Sequence, residues 1–182
     1  MELLIGCLIL IGSLLVLFWQ GSLLLAALWG APSVYANSNA ITDALKLSGL
    51  KKGQLLVDLG CGDARSLIIA AKEFGARGIG IERSPYCVLR ARYNVARSGM
   101  QSQIKIIWGD FKKGENWLRQ ADVVYLYLLD NALSSIEKWL YDNIQPKCKV
   151  VSLAFKFGDR PALKTSQTKN LGRSATIYLY CK

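Results

Sequence analysis

An acid and two glycines within the segment VDLGCGDAR form the part of this chain best suited to hold a ligand. Asp58, Gly60 and Gly62 stand at alternating positions. Residues 54–59 are an apolar run typical of a buried parallel strand, and residues 66–74 have the apolar spacing of a helix. Glycines at such a turn let the backbone approach a ligand closely. Ligands bind at the carboxyl ends of the strands in open α/β sheets, so we expect a binding site here.

The residues around the glycines distinguish between three uses of such a turn. A dinucleotide-binding turn has a third small residue where this chain has Arg65, which argues against that use. The glycines alone leave an ordinary strand-to-helix turn open. The segment DLGCGDA resembles motif I of the class I S-adenosylmethionine (SAM) methyltransferases, an acid followed by GxGxG. Asp58, Gly60 and Gly62 match it and Ala64 replaces its last glycine, which implies a SAM site.

Acids at the ends of the next two predicted strands extend this resemblance. Glu82 follows the apolar residues 78–81, and a carboxylate there can accept hydrogen bonds from both hydroxyls of a ribose. Motif II of the methyltransferases has its acid at this position, and an acid in a surface turn is the alternative. Asp110 and Phe111 follow a third predicted strand, residues 104–108, and resemble the GD step of the family. That resemblance implies that Asp110 accepts the adenine amino group and that Phe111 stacks on the ring.

Three further residues complete the predicted cofactor site. Cys61 and Asp63 belong to the glycine turn, and Leu129 ends the apolar residues 121–129. The near-continuous hydrophobicity of that run predicts a central strand buried on both faces. We interpret Cys61 as a packing residue and not as a nucleophile, because the turn needs a small side chain at this position.

The fourth predicted strand also delivers the candidates for catalysis. Asp130 and Asn131 follow it directly and are expected at the sheet edge beside the glycine turn. An attacking amine must lose a proton, and the chain contains no histidine; Asp130, a tyrosine such as Tyr127, or water is the candidate proton acceptor. The sequence LLDN lacks the NPPY-like motif of methyltransferases that act on nucleobase amino groups. It also lacks the cysteine of the cytosine-carbon enzymes, so we do not expect nucleic acid as a partner.

Charge and cysteine usage limit the partners and the compartment. The chain has 182 residues and a formal net charge of +10, and every Lys and Arg lies at or beyond Lys46. Such a positive field favours an acidic partner, nucleic acid or a membrane surface. The five cysteines include no CxxC pair. Without histidine the usual mixed zinc sites cannot be built, so we expect no metal and a reducing compartment.

The segment between Leu3 and Trp29 is almost wholly apolar and predicts one transmembrane helix. About 20 residues span a bilayer core, so the segment is long enough. A secretory signal is the alternative, because Val34-Tyr35-Ala36 resembles a cleavage site. The amino end carries no basic residue, however, and the apolar run is too long for a signal core. Basic residues follow the span and none precedes it, which predicts a single-pass protein with a cytoplasmic catalytic domain.

A predicted helix over residues 84–98 carries Arg90 and Arg97 on one face, two turns apart. A solvated helix face is the simplest interpretation. The functional alternative is a basic stripe that rests on anionic lipid or on an acidic partner.

The order of the apolar segments predicts an α/β fold. We expect a Rossmann-like, doubly wound, mostly parallel sheet preceded by one transmembrane helix. The predicted domains are a transmembrane anchor (residues 1–30), a linker and covering helix (31–50) and a SAM-dependent methyltransferase domain (51–182). A plain spacer is the alternative for the helix in residues 31–50. Residues 161–172 are predicted as a polar loop and residues 175–181 as a final strand, and the usual seven-stranded sheet is expected to be trimmed at its last connection.

The anchor, motif I, the Glu82 acid and the GD step together resemble a particular group of enzymes. These are the single-span protein-lysine methyltransferases related to the enzymes for the ATP-synthase c-ring protein and the adenine nucleotide translocase. The resemblance implies in-line methyl transfer from SAM to a lysine of a membrane or membrane-associated protein. The chain departs from it in having Asp130 where relatives often have proline.

Other functions stay open on the sequence. One is a methyltransferase for a small lipophilic acceptor such as a quinone or lipid. Another is a non-catalytic SAM-binding membrane module. An RNA methyltransferase is a weaker third alternative, because a membrane anchor makes little sense for it.

Overall fold

A computed structural model describes residues 1–28 and 35–182 of the chain. Six α-helices and seven strands are assigned within these residues, together with a short 3-10 turn at Phe111–Gly114. In chain order they are α1 (Glu2–Leu28), α2 (Ser38–Ser48), β1 (Leu55–Leu59), α3 (Arg65–Phe74), β2 (Arg77–Glu82), α4 (Pro85–Arg97), β3 (Ile104–Trp108), α5 (Glu115–Leu118), β4 (Val123–Leu126), α6 (Asp130–Asn143), β5 (Lys149–Leu153), β6 (Lys164–Asn170) and β7 (Arg173–Cys181).

The strands form one sheet in the order β3-β2-β1-β4-β5-β7-β6. β1 to β5 run parallel, and β7 and β6 close the sheet antiparallel. Asp58 near the end of β1 pairs with Gly80 on one side and with Tyr125 on the other. The carboxyl ends of β1, β2 and β4 therefore meet at one edge. The predicted Rossmann-like, doubly wound fold is confirmed.

Helices cover both faces of the sheet. Side chains of α2, α3 and α4, among them Leu45, Leu67 and Val88, belong to a buried cluster on one face. Leu118 of α5 and Leu133 of α6 belong to the cluster on the opposite face. The two layers hold the strand ends rigidly, and the residues that follow them are therefore well positioned for a binding site.

The predicted polar loop over residues 161–172 is wrong. β6 pairs antiparallel with β7 from Lys164 to Asn170, which gives a complete sheet of seven strands, so the expected trimming is wrong as well. β6 reads KTSQTKN, and only Thr168 and Asn170 in it are buried. An edge strand that is polar on both faces lacks the alternation by which a strand is identified from sequence.

Helix α1 contains 19 residues, Leu4–Ser22, that are long and apolar enough to cross a membrane. Its side chains along this stretch are mostly exposed. The ring of Trp19 lies 6.4 Å from that of Tyr86 in α4, so the end of this stretch contacts the globular part. Trp29, the end of the predicted anchor, and Val34, in the cleavage-like site, lie outside the described residues.

Candidate active site

The glycine turn after β1 is fastened to the end of β2 through its backbone. The amides of Gly60 and Cys61 both donate to the Ile81 carbonyl, at 2.8 and 3.1 Å. The amide of Gly62 donates to Glu82 Oε2 at 2.9 Å. Gly60 and Gly62 have φ values of 89° and 53°, in the left-handed region that glycine tolerates best.

The two glycines differ in what surrounds them. A Cβ on Gly62 would meet no atom of the described residues within 4 Å, so this part of the turn faces open space. A Cβ on Gly60 would lie 3.1 Å from Leu128 Cδ2 and 3.9 Å from Phe111 Cε1. The side chains of Leu128 and Phe111 therefore pack over Gly60. The residue that meets the turn is Leu128, whereas the predicted Leu129 is the residue preceding α6.

Cys61 is buried between the turn and β2. A Cβ on Gly80 would lie 2.6 Å from Cys61 Sγ, so the thiol fills the space that glycine leaves. Burial raises the pKa of the Cys61 thiol well above its usual range. A protonated, enclosed thiol is a poor nucleophile, which agrees with the packing role.

Glu82 accepts three backbone hydrogen bonds. Its Oε1 accepts from the amides of Arg83 and Ser84, both at 2.8 Å, and its Oε2 from Gly62. A carboxylate offers about four acceptor positions. The side chain is partly exposed, so one position remains for a ribose hydroxyl at the sheet edge.

The GD step lies at the same edge, because Glu82 pairs with Trp108 and its carbonyl accepts from Gly109. Asp110 Oδ1 accepts from the amide of Lys112 at 3.2 Å, and its Oδ2 lies 3.6 Å from Arg83 Nη1. The Asp110 side chain is about half exposed, at 47%. Its oxygens can therefore still be approached from the solvent side.

Asp58 lies buried behind the turn. Its Oδ2 accepts a short hydrogen bond from the Ser66 hydroxyl. Burial raises the pKa of Asp58 to about 7, and the nearby acids Glu82 and Asp63 add to the effect while Ser66 opposes it. Asp58 is thus poised to change its charge near neutral pH, and a bound cation would favour its ionised form.

A cleft of about 50 Å³ opens above Asp58, Gly60 and Gly62. Tyr35 and Ala36, together with Ile41 of α2, line it on the opposite side. Helix α2 and the residues before it therefore contribute to the wall of the cleft.

Asp63 holds this cover in place. Its Oδ2 lies 3.1 Å from Arg65 Nη2 and 3.9 Å from Arg90 Nη2. Arg65 Nη1 donates to the Ala36 carbonyl at 3.1 Å. In the structure Asp63 therefore ties the covering segment to the turn through arginine.

Two tyrosines of the fourth-strand segment complete the cleft. The Tyr127 hydroxyl accepts from Asn170 Nδ2 at 2.9 Å. Tyr125 is buried, and its hydroxyl has no hydrogen-bond partner among the described residues. Burial raises the pKa of Tyr125 well above its ordinary value, with Asp58 adding to the effect, so the hydroxyl stays protonated. Sequence reasoning missed Tyr125, although side chains two residues apart on a strand share a face and Tyr127 is a predicted site residue.

The other two predicted catalytic residues lie elsewhere on the edge. β4 ends at Leu126 and α6 begins at Asp130, so the strand is shorter than the predicted run of residues 121–129. Asp130 and Asn131 occupy the first turn of α6 and are exposed. Tyr127 lines the cleft, whereas Asp130 and Asn131 are not among its lining residues.

The residues at this edge fit SAM. Glu82 retains an acceptor position, Gly62 faces open space among the described residues, and Asp58 is a buried acid at the turn. These groups suit the ribose, the close approach of the cofactor and its polar, cationic end, respectively.

The chain is similar to known methyltransferases in sequence. Residues 58–164 match the model of the ANTKMT methyltransferase domain. A protein-lysine N-methyltransferase of Saccharolobus islandicus is 26% identical over 82% of this chain and 92% of its own length. An ATP-synthase c-ring lysine N-methyltransferase of Xenopus laevis is 29% identical over 69% of this chain. The chain spans 54% of that relative, about half of its length.

Solved structures share the fold. An RNA methyltransferase from Salinibacter ruber, in complex with S-adenosyl-L-homocysteine, has a TM-score of 0.70 and 31% identity. The match covers 78% of this chain and 88% of that one. A Bacillus cereus O-methyltransferase, 12% identical, has a TM-score of 0.63 over 91% of this chain and 90% of its own, which bears on the fold alone.

The domain match covers more than half of the chain and includes the glycine turn, Glu82 and the GD step. The neighbour that is 31% identical binds the demethylated form of SAM. These matches identify an enzyme and set aside the non-catalytic binding module. The chain belongs to the ANTKMT methyltransferase domain family and is a SAM-dependent methyltransferase of class I fold.

Proposed function

We propose that the chain is a protein-lysine N-methyltransferase that acts on a membrane or membrane-associated protein. The observation that carries the proposal is the match to an archaeal protein-lysine N-methyltransferase along 92% of that protein. The ATP-synthase c-ring lysine methyltransferases match the same domain and have, by name, a lysine of a protein as their substrate.

Each group at the sheet edge has a role in this proposal. SAM, when bound, supplies a methyl group on a positively charged sulfur. Glu82 would hold the ribose, and Asp110 and Phe111 the adenine. Asp58, with the turn from Gly60 to Asp63, would hold the charged end. Positioning of this kind contributes up to about 7–11 kcal/mol to such a transfer.

Tyr125 and Tyr127 are proposed to orient the acceptor amine. Lysine must lose a proton before it can attack, and an aromatic, partly desolvated cleft lowers the pKa of an amine. Tyr127 Oη already accepts from Asn170, which leaves one lone pair and its own hydrogen for an acceptor. Asp130, as a candidate proton acceptor, and Asn131 remain predicted catalytic residues.

The membrane part of the proposal rests on α1. Its 19-residue apolar stretch matches the thickness of a bilayer core. We propose that it anchors the enzyme as a single-pass protein with the catalytic domain in the cytoplasm, as the distribution of basic residues predicts. Anchoring confines the enzyme and a membrane substrate to one plane and so raises their effective concentration.

RNA methylation is the second candidate function, because the Salinibacter ruber neighbour is an RNA methyltransferase at 31% identity. A small lipophilic acceptor is the third.

Incubating the full chain with membranes, ribosomal RNA and methyl-labelled SAM distinguishes the three candidate functions. We expect label in protein, recovered as N-methyl-lysine after acid hydrolysis, and no label with the Glu82→Ala variant. Label in RNA or in extracted lipid would contradict the proposal that the substrate is a protein lysine.

Replacing Tyr125 by phenylalanine should separate catalysis from stability. The change removes a buried hydroxyl that has no partner among the described residues, so we expect the free energy of unfolding to stay equal or to rise by about 1 kcal/mol. The rate constant for methyl transfer should fall about tenfold, the equivalent of one lost hydrogen bond. The Kd for SAM should stay unchanged. Thermal unfolding, calorimetry and single-turnover transfer measure the three quantities.

Tyr141→Phe is the matched control. The Tyr141 hydroxyl is also buried without a partner in the described part of the chain, but it lies on the opposite face of the sheet. This variant should show a similar stability change and normal methyl transfer. An equal rate constant for methyl transfer in the Tyr125→Phe and Tyr141→Phe variants would show that the Tyr125 hydroxyl has no part in the transfer.

A further inference from the structure

We propose that one face of α4 docks on an anionic lipid bilayer and turns the mouth of the cleft toward that surface. The α4 face is defined by Tyr86, Leu89, Arg90, Tyr93 and Arg97. This inference rests on the membrane-anchoring part of the proposed function and adds a second, peripheral contact with the membrane.

The composition of the α4 face is that of an interfacial helix. Its members lie three, four, seven and eleven residues after Tyr86 and so share one side of the helix. Leu89 and Tyr93 are 59% and 63% exposed. The opposite side of α4 is packed in the core by Cys87, Val88, Ala91 and Val95. Apolar and aromatic side chains mixed with arginine suit the boundary between headgroups and acyl chains.

The position of α1 places this face at the membrane boundary. The 19 residues of Leu4–Ser22 rise about 28 Å as a helix, close to the ~30 Å of a hydrocarbon core. Within this proposal the hydrocarbon core ends near Ser22, ahead of the end of the apolar segment at Trp29, because Ser22 is already buried against the protein. Trp19 lies in the last turn of this stretch, and its ring is 6.4 Å from Tyr86, the second residue of α4. The α4 face thus begins beside the point where the span leaves the membrane.

Charge complementarity selects anionic lipid as the partner. Helix α4 reads PYCVLRARYNVAR and contains arginines but no acid. Arg90, 41% exposed, shares its charge with Asp63 at 3.9 Å, and Arg97 adds a charge two turns further along the face. Each basic side chain near an anionic membrane surface is worth about 1 kcal/mol. A zwitterionic bilayer lacks this attraction.

The α4 face adjoins the active-site cleft through Arg90. Its Nη1 donates to the Tyr35 hydroxyl at 3.2 Å, and its guanidinium carbon lies 5.4 Å from the Tyr35 ring centroid. Tyr35 in turn lines the cleft. Docking of the α4 face would bring this side of the cleft to headgroup level. A lysine near the surface of a membrane protein would then lie within reach of the site.

A fluorophore on the helix tests the docking in the full chain. Cys7 and Cys181 are the exposed cysteines among the described residues and are replaced by serine. An environment-sensitive dye is attached at Ala96→Cys, an exposed position seven residues after Leu89. The chain is reconstituted in phosphatidylcholine vesicles with and without phosphatidylglycerol. We expect a blue-shifted emission and protection from an aqueous quencher in the anionic vesicles only.

Two variants and one control position complete the test. Arg97→Glu should shift the equilibrium between docked and free α4 faces about thirtyfold, the equivalent of about 2 kcal/mol. The double variant Leu89→Ser, Tyr93→Ser should also lose protection. The dye at Lys138→Cys, on α6 at the opposite side of the sheet, should stay exposed to the quencher in all vesicles.

Equal quenching at Ala96→Cys in both vesicle types, or no effect of Arg97→Glu, would overturn the docking surface. Methyl transfer by the detergent-solubilised chain is measured separately, so that failure of the docking proposal can be distinguished from failure of the proposed function. If protein lysine is methylated while the dye remains unprotected, only the docking proposal is refuted. If the dye is protected but label is found in RNA or lipid, docking is supported and only the proposal of a lysine substrate is refuted.

Discussion

Replacing Glu82 by alanine is expected to weaken SAM binding at least about a hundredfold, the equivalent of about 3 kcal/mol. Its carboxylate accepts from the amides of Gly62, Arg83 and Ser84 and is proposed to hold the ribose. Hydrogen bonds to a charged group contribute about 1.5–3 kcal/mol each. Alanine removes all of them, including the bond that ties Gly62 to the end of β2. Calorimetric titration of the full chain with SAM measures the loss.

Two further variants show which part of this loss belongs to Glu82. Glu82→Gln keeps one acceptor oxygen but places an amide donor opposite a backbone N–H, so an intermediate loss is expected. Glu115→Gln removes an exposed acid that pairs with Arg119 at 2.7 Å, and SAM binding should be unchanged. Wild-type affinity in the Glu82→Ala variant would exclude Glu82 from the cofactor site.

The affinity for SAM should rise about tenfold between about pH 6 and pH 8, and Asp58→Asn should abolish this rise. The pKa of Asp58 is raised by burial to about 7. The positively charged end of SAM favours the ionised carboxylate, so binding below that pKa must first remove a proton. Asparagine can still accept from Ser66 but carries no charge at any pH. Titrations with SAM across this pH range measure the effect.

The raised pKa of Asp58 has the opposite effect on the stability of the free protein, which falls as the pH rises. The pKa of Asp58 rises from its ordinary 3.8 to about 7 on folding, so between these values the folded chain holds a proton that the unfolded chain has released. The stability contributed by Asp58 is therefore present at acid pH and is lost as the pH rises through about 7. The full difference amounts to about 4 kcal/mol at 1.36 kcal/mol per pH unit.

Denaturant unfolding between pH 5 and pH 8 measures this pH dependence of the free energy of unfolding. The wild type should lose stability relative to Asp58→Asn as the pH rises. Asp142→Asn alters an exposed acid paired with Lys138 and should follow the wild type. Parallel pH profiles of the wild type and Asp58→Asn would show that Asp58 ionises normally and does not control cofactor binding.

The glycine turn and the strand ends were predictable because short-range patterns determine them. An apolar run, an acid and two glycines define the turn, and β3 occurs at the predicted residues Ile104–Trp108. Glu82 and Asp110 follow from the same rule, since parallel strands end at one edge. In the structure, backbone bonds from Gly60 to Ile81 and from Gly109 to Glu82 join these ends directly.

What the sequence could not show depends on contacts distant in the chain. β6 is a strand because β7 pairs with it, and its own residues carry no strand pattern. The state of the Tyr125 hydroxyl depends on burial under α2 and α3, which no local window contains. Tyr127 is oriented by Asn170, in the strand that was predicted as loop. The position of the glycine turn, Glu82 and Asp110 at one sheet edge was therefore predictable from sequence, and the surroundings of Tyr125 and Tyr127 were not.

A structure of the chain bound to S-adenosyl-L-homocysteine tests the central claim most directly. We predict a ribose hydroxyl against Glu82, the adenine between Asp110 and Phe111, and the sulfur directed into the cleft lined by Tyr125 and Tyr127. A ligand bound away from the glycine turn, or a Glu82 carboxylate that makes no contact with the ribose, would contradict this account.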